Sequence, residues 1–193
     1  MSQESQLWAT GEAYEPYVGR WSRLVAPEFV RWLAPARGKD WVDVGCGTGR
    51  LSEAILATAV PGSIRAVDPS DGFITFAKHR FDDDRITFTT GEAQALPFED
   101  RSADFVVSGL VLNFVPDPAE AIAECVRVTR GDGTVAAYVW DYADQMQMMR
   151  YFWDAAVDLD AAATDFDEAN RCSICTPDAL RELFSRTRPR HVE

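Results

Sequence analysis

Apolar and polar positions alternate along the chain with two periods, one typical of strands and one typical of helices. Short apolar or β-branched runs predict strands at 41–45, 64–67, 86–90, 105–107 and 134–140. Between and after them, apolar residues recur at helical spacing and predict helices at 48–60, 70–79, 118–128, 146–157 and 177–185. This alternation predicts a doubly wound α/β domain with a mostly parallel sheet.

The net charge and the length of the apolar runs limit the partners and the location that we expect for this domain. The net charge is −12, from 31 acidic and 19 basic residues, and such a field would repel a nucleic-acid backbone. No apolar run reaches the roughly eighteen residues of a membrane-spanning helix. The polar segment 1–5 lacks the basic and apolar parts of a signal peptide. We therefore expect a cytoplasmic protein with no nucleic-acid partner and no membrane span.

The four cysteines do not indicate a disulfide framework or a metal site. Cys46 lies in a glycine turn and Cys125 in an apolar helical stretch, whereas Cys172 and Cys175 form a lone CxxC motif. A zinc site would need two further ligands at similar spacing, and the chain has only two histidines. We expect no metal, and we favour two cysteines in a loop before a helix over a redox role.

A glycine-rich segment, 42–49, joins the first predicted strand to a helix and reads Val-Asp-Val-Gly-Cys-Gly-Thr-Gly. Glycines let the backbone approach a ligand closely, and a helix N-terminus supplies free N–H groups. Asp68 ends the next strand, 23 residues after Gly45, where an acid can accept hydrogen bonds from ribose hydroxyls. Together these features predict a nucleotide site.

The spacing of the glycines separates two classes of nucleotide. A dinucleotide fingerprint reads G-x-G-x-x-G, whereas here Gly49 comes one residue early. Asp43, two residues before Gly45, is unfavourable beside a pyrophosphate and favourable beside a cation. S-adenosylmethionine carries a sulfonium and an ammonium group, so the turn fits this cofactor better than it fits NAD.

The chain resembles the Rossmann-like S-adenosylmethionine-dependent methyltransferases, in particular the small-molecule group that includes the ubiquinone and menaquinone biosynthesis methyltransferases. Five blocks carry the resemblance in the family's order: 42–49, 66–70, 91–98, 104–108 and 124–133. They span about residues 40 to 141.

The resemblance implies roles for the residues that match these blocks. The implied cofactor-binding residues are Asp43, Gly45, Cys46, Gly47, Gly49, Asp68, Pro69, Ser70, Glu92, Ala93 and Ser108. Asp43 and the glycine turn would border the methionine part, and Asp68 would bind the ribose. Glu92 and Ala93 would meet adenine, and Ser108 would contact the methionine amino group.

The acceptor side is less defined by the sequence, and no general base stands out. Asn113 and Asp141 follow predicted strands on the carboxyl edge, where ligands bind in such sheets. Trp153 belongs to a Met and aromatic stripe that is either core or the wall of an apolar acceptor pocket. Tyr17 and Trp21 precede the sheet and fit either a packed helix or, as in related enzymes, a lid. All five are candidate substrate-pocket residues.

We divide the chain into an N-terminal helical lid segment at 1–35 and a cofactor-binding α/β domain at 36–193, with no linker between them. The family normally adds a reversed strand hairpin after the fifth strand, and the last eight residues are too few for it. We therefore expect a sheet without this hairpin. Its fifth strand would then be an uncovered edge that invites pairing with a second copy.

Three functions remain open from the sequence. The first is methyl transfer from S-adenosylmethionine to a small-molecule O, N or C acceptor. The second is a cofactor-binding module without turnover, and the third, disfavoured by the glycine spacing and Asp43, is an NAD-dependent oxidoreductase. The sequence identifies neither the acceptor nor the oligomeric state.

Overall fold

A computed structural model describes residues 20–187, and this part of the chain forms a five-stranded sheet flanked by helices. All pairings between neighbouring strands are parallel, in the order β3-β2-β1-β4-β5. The strands are β1 Asp40–Val44, β2 Ser63–Asp68, β3 Ile86–Thr90, β4 Ala103–Gly109 and β5 Thr129–Tyr138. The doubly wound α/β fold predicted from the hydrophobic pattern is confirmed.

Among the described residues, one helix precedes β1, three connect strands, and three follow β5, whereas a loop joins β3 to β4. The helices are α1 Arg20–Trp32, α2 Arg50–Ala59, α3 Asp71–Arg80, α4 Pro118–Val128, α5 Gln147–Leu159, α6 Glu168–Arg171 and α7 Pro177–Arg186. Two 3₁₀ turns, Leu112–Phe114 and Ala161–Phe166, complete the described elements. No helix among these residues is long and apolar enough to cross a membrane.

The core has two layers because successive residues of a strand point to opposite faces of the sheet. Trp41 belongs to the cluster shared with α1 and α2, and the next residue, Val42, belongs to the cluster shared with α4. In the first layer, Trp41 stacks on Phe105 with ring centroids 4.3 Å apart. Helix α1 contributes the fully buried Ala26 and Val30 to this layer, so it packs on the sheet.

Three of the predicted helix starts are confirmed by side-chain caps. The Ser70 hydroxyl accepts a hydrogen bond from the Phe73 N–H at 3.3 Å. The Asp117 carboxylate accepts from two backbone N–H groups of α4, and the Thr176 hydroxyl accepts from the Ala179 N–H at 3.3 Å. These bonds satisfy N–H groups that have no partner within the helix, which is why Ser, Thr and Asp at these positions indicate a helix start.

The predicted start of the fifth strand is wrong. We expected the strand to begin at Thr134, but β5 begins at Thr129 and contains an irregularity: Thr129 pairs with Ala103, and Thr134 pairs with Phe105. Gly133 allows the close approach at this bulge, since a Cβ there would meet the Asp104 carbonyl oxygen at 2.5 Å. Glycine here marks a bulge within the strand and not the loop before it.

Strand β5 is the outer strand of the sheet within residues 20–187. A groove of about 900 Å³ runs along it and is also lined by residues of α7 and by Trp32 and Leu33. The described strands include no reversed hairpin, in agreement with the expectation for this part of the chain.

Candidate functional site

The carboxyl ends of β1, β2 and β4 lie side by side at one edge of the sheet. From β1 the chain passes to β2 on one side, and β4 pairs with β1 on the other side, so the strand order reverses beside β1. In open parallel sheets such a reversal opens a crevice in which ligands bind. The glycine turn lies at this crevice, between β1 and α2.

The glycines of the turn meet two different requirements. Gly45, Gly47 and Gly49 have φ values of 72°, 52° and 85°, in the left-handed region that glycine adopts without strain. A Cβ on Gly45 would meet the Val111 side chain at 2.4 Å, and one on Gly49 would meet Phe81 at 2.6 Å. A Cβ on Gly47 would have no atom within 4 Å. The first and third glycines therefore serve packing, whereas Gly47 presents bare backbone to open space.

Asp68 holds the turn in place from the end of β2. One carboxylate oxygen accepts from the Gly47 N–H and the other from the Ser70 N–H, both at 2.9 Å. Asp68 is only 7% exposed, and its burial raises the pKa of the carboxyl. Each carboxylate oxygen has a second lone pair, so these two bonds leave acceptor capacity for a ligand.

Asp43 lies beneath the turn and not on its open side. It is 1% exposed, and one carboxylate oxygen accepts a 2.6 Å hydrogen bond from the Ser52 hydroxyl. The other oxygen, Oδ1, is buried and has no hydrogen-bond partner among the described residues. Burial raises the pKa of Asp43 to about 7, and the Ser52 bond opposes that rise.

The candidate cofactor-binding residues after β3 and within β4 differ in their solvent exposure. Glu92, just after β3, is exposed, and the neighbouring Ala93 is half-buried. Ser108 is 3% exposed and its hydroxyl donates to the Val44 carbonyl at 2.9 Å. Its proton is therefore used to join β4 to β1, and only its oxygen lone pairs are left for a ligand.

The acceptor-side candidates among the described residues are spread over four segments. Asn113 lies half-buried in the 3₁₀ turn after β4, and Asp141, also half-buried, accepts from the Asp144 N–H at 3.1 Å. Trp153 is on the less exposed face of α5, where its indole N–H donates to Glu168. Trp21 is 43% exposed near the start of α1. Tyr17 falls outside the described residues.

Two residues of the site were missed by sequence reasoning. Ser52 is fully buried in the first turn of α2, and it contributes the hydroxyl that Asp43 accepts. Val111, in the loop after β4, fills the space next to Gly45. A small polar residue between apolar ones at the start of a helix is a weak signal for Ser52, and no local signal identifies Val111 because its contact is long-range.

A parallel sheet with this strand reversal, glycine turn and acid at the end of β2 defines a Rossmann-like nucleotide-binding protein. Residues 42–137 match the protein family described as "Methyltransferase domain". The chain belongs to the Rossmann-like S-adenosylmethionine-dependent methyltransferase family, and S-adenosylmethionine is the cofactor that this membership implies.

Two relatives illustrate the match in sequence. The chain is 31% identical over 127 residues to malonyl-[acyl-carrier protein] O-methyltransferase of Methylococcus capsulatus, over 65% of this chain and 46% of that protein. It is 38% identical over 114 residues to demethylmenaquinone methyltransferase of Renibacterium salmoninarum, over 59% of this chain and 45% of that protein. The matched region thus spans about half the length of these relatives.

Solved structures show the same fold. A protein from Methanococcus maripaludis, proposed to be an S-adenosylmethionine-dependent methyltransferase, superposes with a TM-score of 0.66 at 21% identity, over 92% of this chain and 78% of that one. A methyltransferase from Aquifex aeolicus superposes with a TM-score of 0.56 at 18% identity, over 62% of this chain and 66% of that one. The Rossmann-like fold predicted from the sequence is confirmed.

Proposed function

We propose that this chain binds S-adenosylmethionine at the carboxyl edge of its sheet and transfers the methyl group to a small-molecule acceptor. The observation that carries the proposal is the turn at Gly47, where bare backbone faces open space and is held from behind by Asp68. Family membership supports the identity of the cofactor.

The cofactor contacts are proposed residue by residue. Asp68 would accept from the ribose hydroxyls through its remaining lone pairs, with Pro69 and Ser70 beside it. Glu92 is exposed and free to reach the exocyclic amine of adenine, with Ala93 against the ring.

The methionine part would lie over the backbone of 45–49. Below it, the buried Asp43 would favour the sulfonium and ammonium charges through space, since its carboxylate is not open to direct contact. Ser108 would offer an oxygen lone pair to the amino group.

Methyl transfer requires little further chemistry from the protein. The bound cofactor would supply a methyl group already activated on a positively charged sulfur. An electron pair of the acceptor would take this methyl group, and the electrons of the carbon–sulfur bond would remain on sulfur. The protein must hold the acceptor in line and keep water away. A base is needed only when the acceptor must lose a proton.

The acceptor would be held by groups at the carboxyl ends of β4 and β5 and by the segments on either side of them. We propose Asn113 and Asp141 as polar pocket residues and Trp21, Tyr17 and Trp153 as aromatic ones, with residues 1–35 as a lid. The names of the two relatives refer to a malonyl-[acyl-carrier protein] and to demethylmenaquinone. These two substrate classes are therefore the first that we would test as methyl acceptors.

Replacing Gly47 provides a sharp test of the cofactor site. Gly38 is a matched control, because it also has a positive φ, 75° against 52°, and a Cβ there would also meet nothing within 4 Å. Gly38→Ala and Gly47→Ala should therefore carry a similar backbone strain of about 1–2 kcal/mol. We expect only Gly47→Ala to weaken S-adenosylmethionine binding in a calorimetric titration. Equal binding by both variants, or no binding by the unchanged protein at millimolar cofactor, would contradict the proposal.

Turnover is tested separately from binding. Release of S-adenosylhomocysteine in the presence of an acceptor would show methyl transfer, whereas binding without release would favour the cofactor-binding module. Titration with NAD under the same conditions addresses the oxidoreductase alternative, which the family match does not favour.

The remaining expectations about partners are also proposals. We propose that the negative charge keeps nucleic acid away, that the protein is cytoplasmic, and that the open edge of β5 pairs with a second copy. The supporting observations are a net charge of −12 and the position of β5 at the edge of the described sheet.

A further inference from the structure

Two cysteines outside the proposed cofactor site lie in one tight turn. Cys172 follows α6, Cys175 lies two residues before α7, and the Cys175 N–H donates to the Cys172 carbonyl at 2.9 Å. A backbone hydrogen bond of this kind closes a turn whose first and last Cα atoms are within about 7 Å. Disulfides join Cα atoms that are about 4.4–6.8 Å apart, so the turn brings the two residues into the range that a disulfide requires.

The two thiols interact directly and differ in exposure. The Cys175 thiol hydrogen-bonds to Cys172, and its burial raises the pKa of Cys175 to about 12. Cys175 is 1% exposed, whereas Cys172 is partly exposed. An oxidant therefore reaches Cys172 first, with Cys175 in place as the second thiol.

The other two cysteines are separated from this pair and from each other. Cys46 belongs to the core layer beside α1 and α2, and Cys125 belongs to the layer beside α4. Both are buried, and burial raises the pKa of each thiol. Because each lies in a different core layer, these two cysteines serve as internal controls.

We propose that Cys172 and Cys175 form a reversible disulfide, which makes this turn a redox-sensitive modification site. With hydrogen peroxide as oxidant, the Cys172 sulfur attacks a peroxide oxygen, the O–O bond breaks, and a sulfenic acid and water form. The Cys175 sulfur then attacks the Cys172 sulfur, the S–O bond breaks, and the proton of Cys175 leaves with the hydroxyl as water. Overall, two thiols and one hydrogen peroxide give one disulfide and two waters.

The position of the turn connects this chemistry to the acceptor side of the molecule. Cys175 precedes Thr176, whose hydroxyl caps α7, and both residues line the groove beside β5 together with Asp141. A disulfide would fix the junction between the 147–171 segment and α7. The proposal does not depend on methyl transfer, and its test does not use activity.

The test treats the folded chain with hydrogen peroxide, or separately with oxidised glutathione, and then unfolds it in a thiol-blocking reagent. We expect the number of blocked thiols to fall from four to two, with peptide mass spectrometry joining Cys172 to Cys175, and a reducing agent to restore all four. We also expect slower amide hydrogen exchange at 172–176 in the oxidised protein.

Two matched variants test the separate roles of Cys172 and Cys175. Cys172→Ser should keep its three remaining thiols under the same treatment, because Cys175 is buried. Cys175→Ser should stop at a sulfenic acid or a mixed disulfide with glutathione on Cys172, because the second thiol is missing. The proposal is overturned if the unchanged protein also stops at a sulfenic acid or a mixed disulfide on Cys172. It is equally overturned if the unchanged protein keeps four thiols or forms a disulfide that includes Cys46 or Cys125.

Discussion

At the scale of single residues, two aspartates of the candidate site have different surroundings and so different properties. Asp68 is held by two backbone N–H groups, whereas Asp43 has one hydroxyl donor and one buried oxygen without a partner. A buried carboxylate with few donors is costly in its charged form. Asp68 is therefore suited to accept from a ligand, whereas Asp43 is suited to respond to the charge of one.

The first prediction concerns the pH dependence of stability caused by Asp43. Its pKa is 3.8 in the absence of interactions and about 7 in the folded protein, so between these values the folded state holds a proton that the unfolded state has lost. The free energy of unfolding should therefore decrease as pH rises from about 4 to about 7, and no further above that range. Asp43→Asn should remove this contribution in urea unfolding measured across the range.

A second variant distinguishes this titration from others in the protein. The hydrogen bond from Ser52 lowers the pKa of Asp43. In Ser52→Ala, the decrease in the free energy of unfolding should therefore continue to higher pH. A pH profile that is the same in Asp43→Asn and in the unchanged protein would show that Asp43 does not titrate there.

The second prediction concerns cofactor binding by Asp68. Asp68→Ala should weaken S-adenosylmethionine binding by roughly 1.5–3 kcal/mol if the carboxylate makes charge-assisted bonds to the ribose. Asp83→Asn is the control, because Asp83 precedes β3 and lies at the opposite edge of the sheet, paired with Arg85. Equal affinities of the two variants in calorimetry would argue against a ribose contact.

At the scale of elements, local signals predicted the helices well because each depends on neighbouring residues. Leu51, Ile55 and Ala59 are buried as their helical spacing predicted, and α4 begins and ends at the predicted residues. The bulge in β5 was not predictable in this way. Its contacts join distant parts of the chain: Arg130, in the irregular part of β5, donates to Asp104 and Asp40.

The third prediction belongs to the start of α4. Asp117→Ala removes the acceptor for the Ala119 and Glu120 N–H groups and should lower the free energy of unfolding by about 1 kcal/mol. Asp132→Ala, at an exposed position of the bulge, is the control that removes a charge without removing a cap. Chemical denaturation would measure both, and an equal loss in the two variants would contradict a specific role of the cap.

At the scale of the whole molecule, the sheet edge is the feature with the largest consequence. Residues of β5 line the groove beside α7, and an edge strand favours pairing with another strand. The long-range order of strands, and so the identity of this edge, comes from tertiary packing.

The fourth prediction tests the proposed pairing of two copies through β5. Ala137→Lys places a charge in the groove and should shift the protein toward monomer in analytical ultracentrifugation. Ala155→Lys, on the exposed face of α5, adds the same charge elsewhere and should leave the association unchanged. The edge is not the interface if the unchanged protein is a monomer at all concentrations, or if both variants associate equally.

The sequence by itself determined the fold class, most element boundaries to within one residue, and the place of the glycine turn. These depend on periodicity, caps and glycine, which are local properties of the chain. Only the tertiary structure decided that Gly45 and Gly49 serve packing while Gly47 faces open space. It also showed Asp43 beneath the turn with Ser52, and brought Asp68 to the Gly47 N–H. Those distinctions arise from contacts between distant segments and from burial, which shifts the charge state of a carboxylate, and neither can be deduced from the order of the residues.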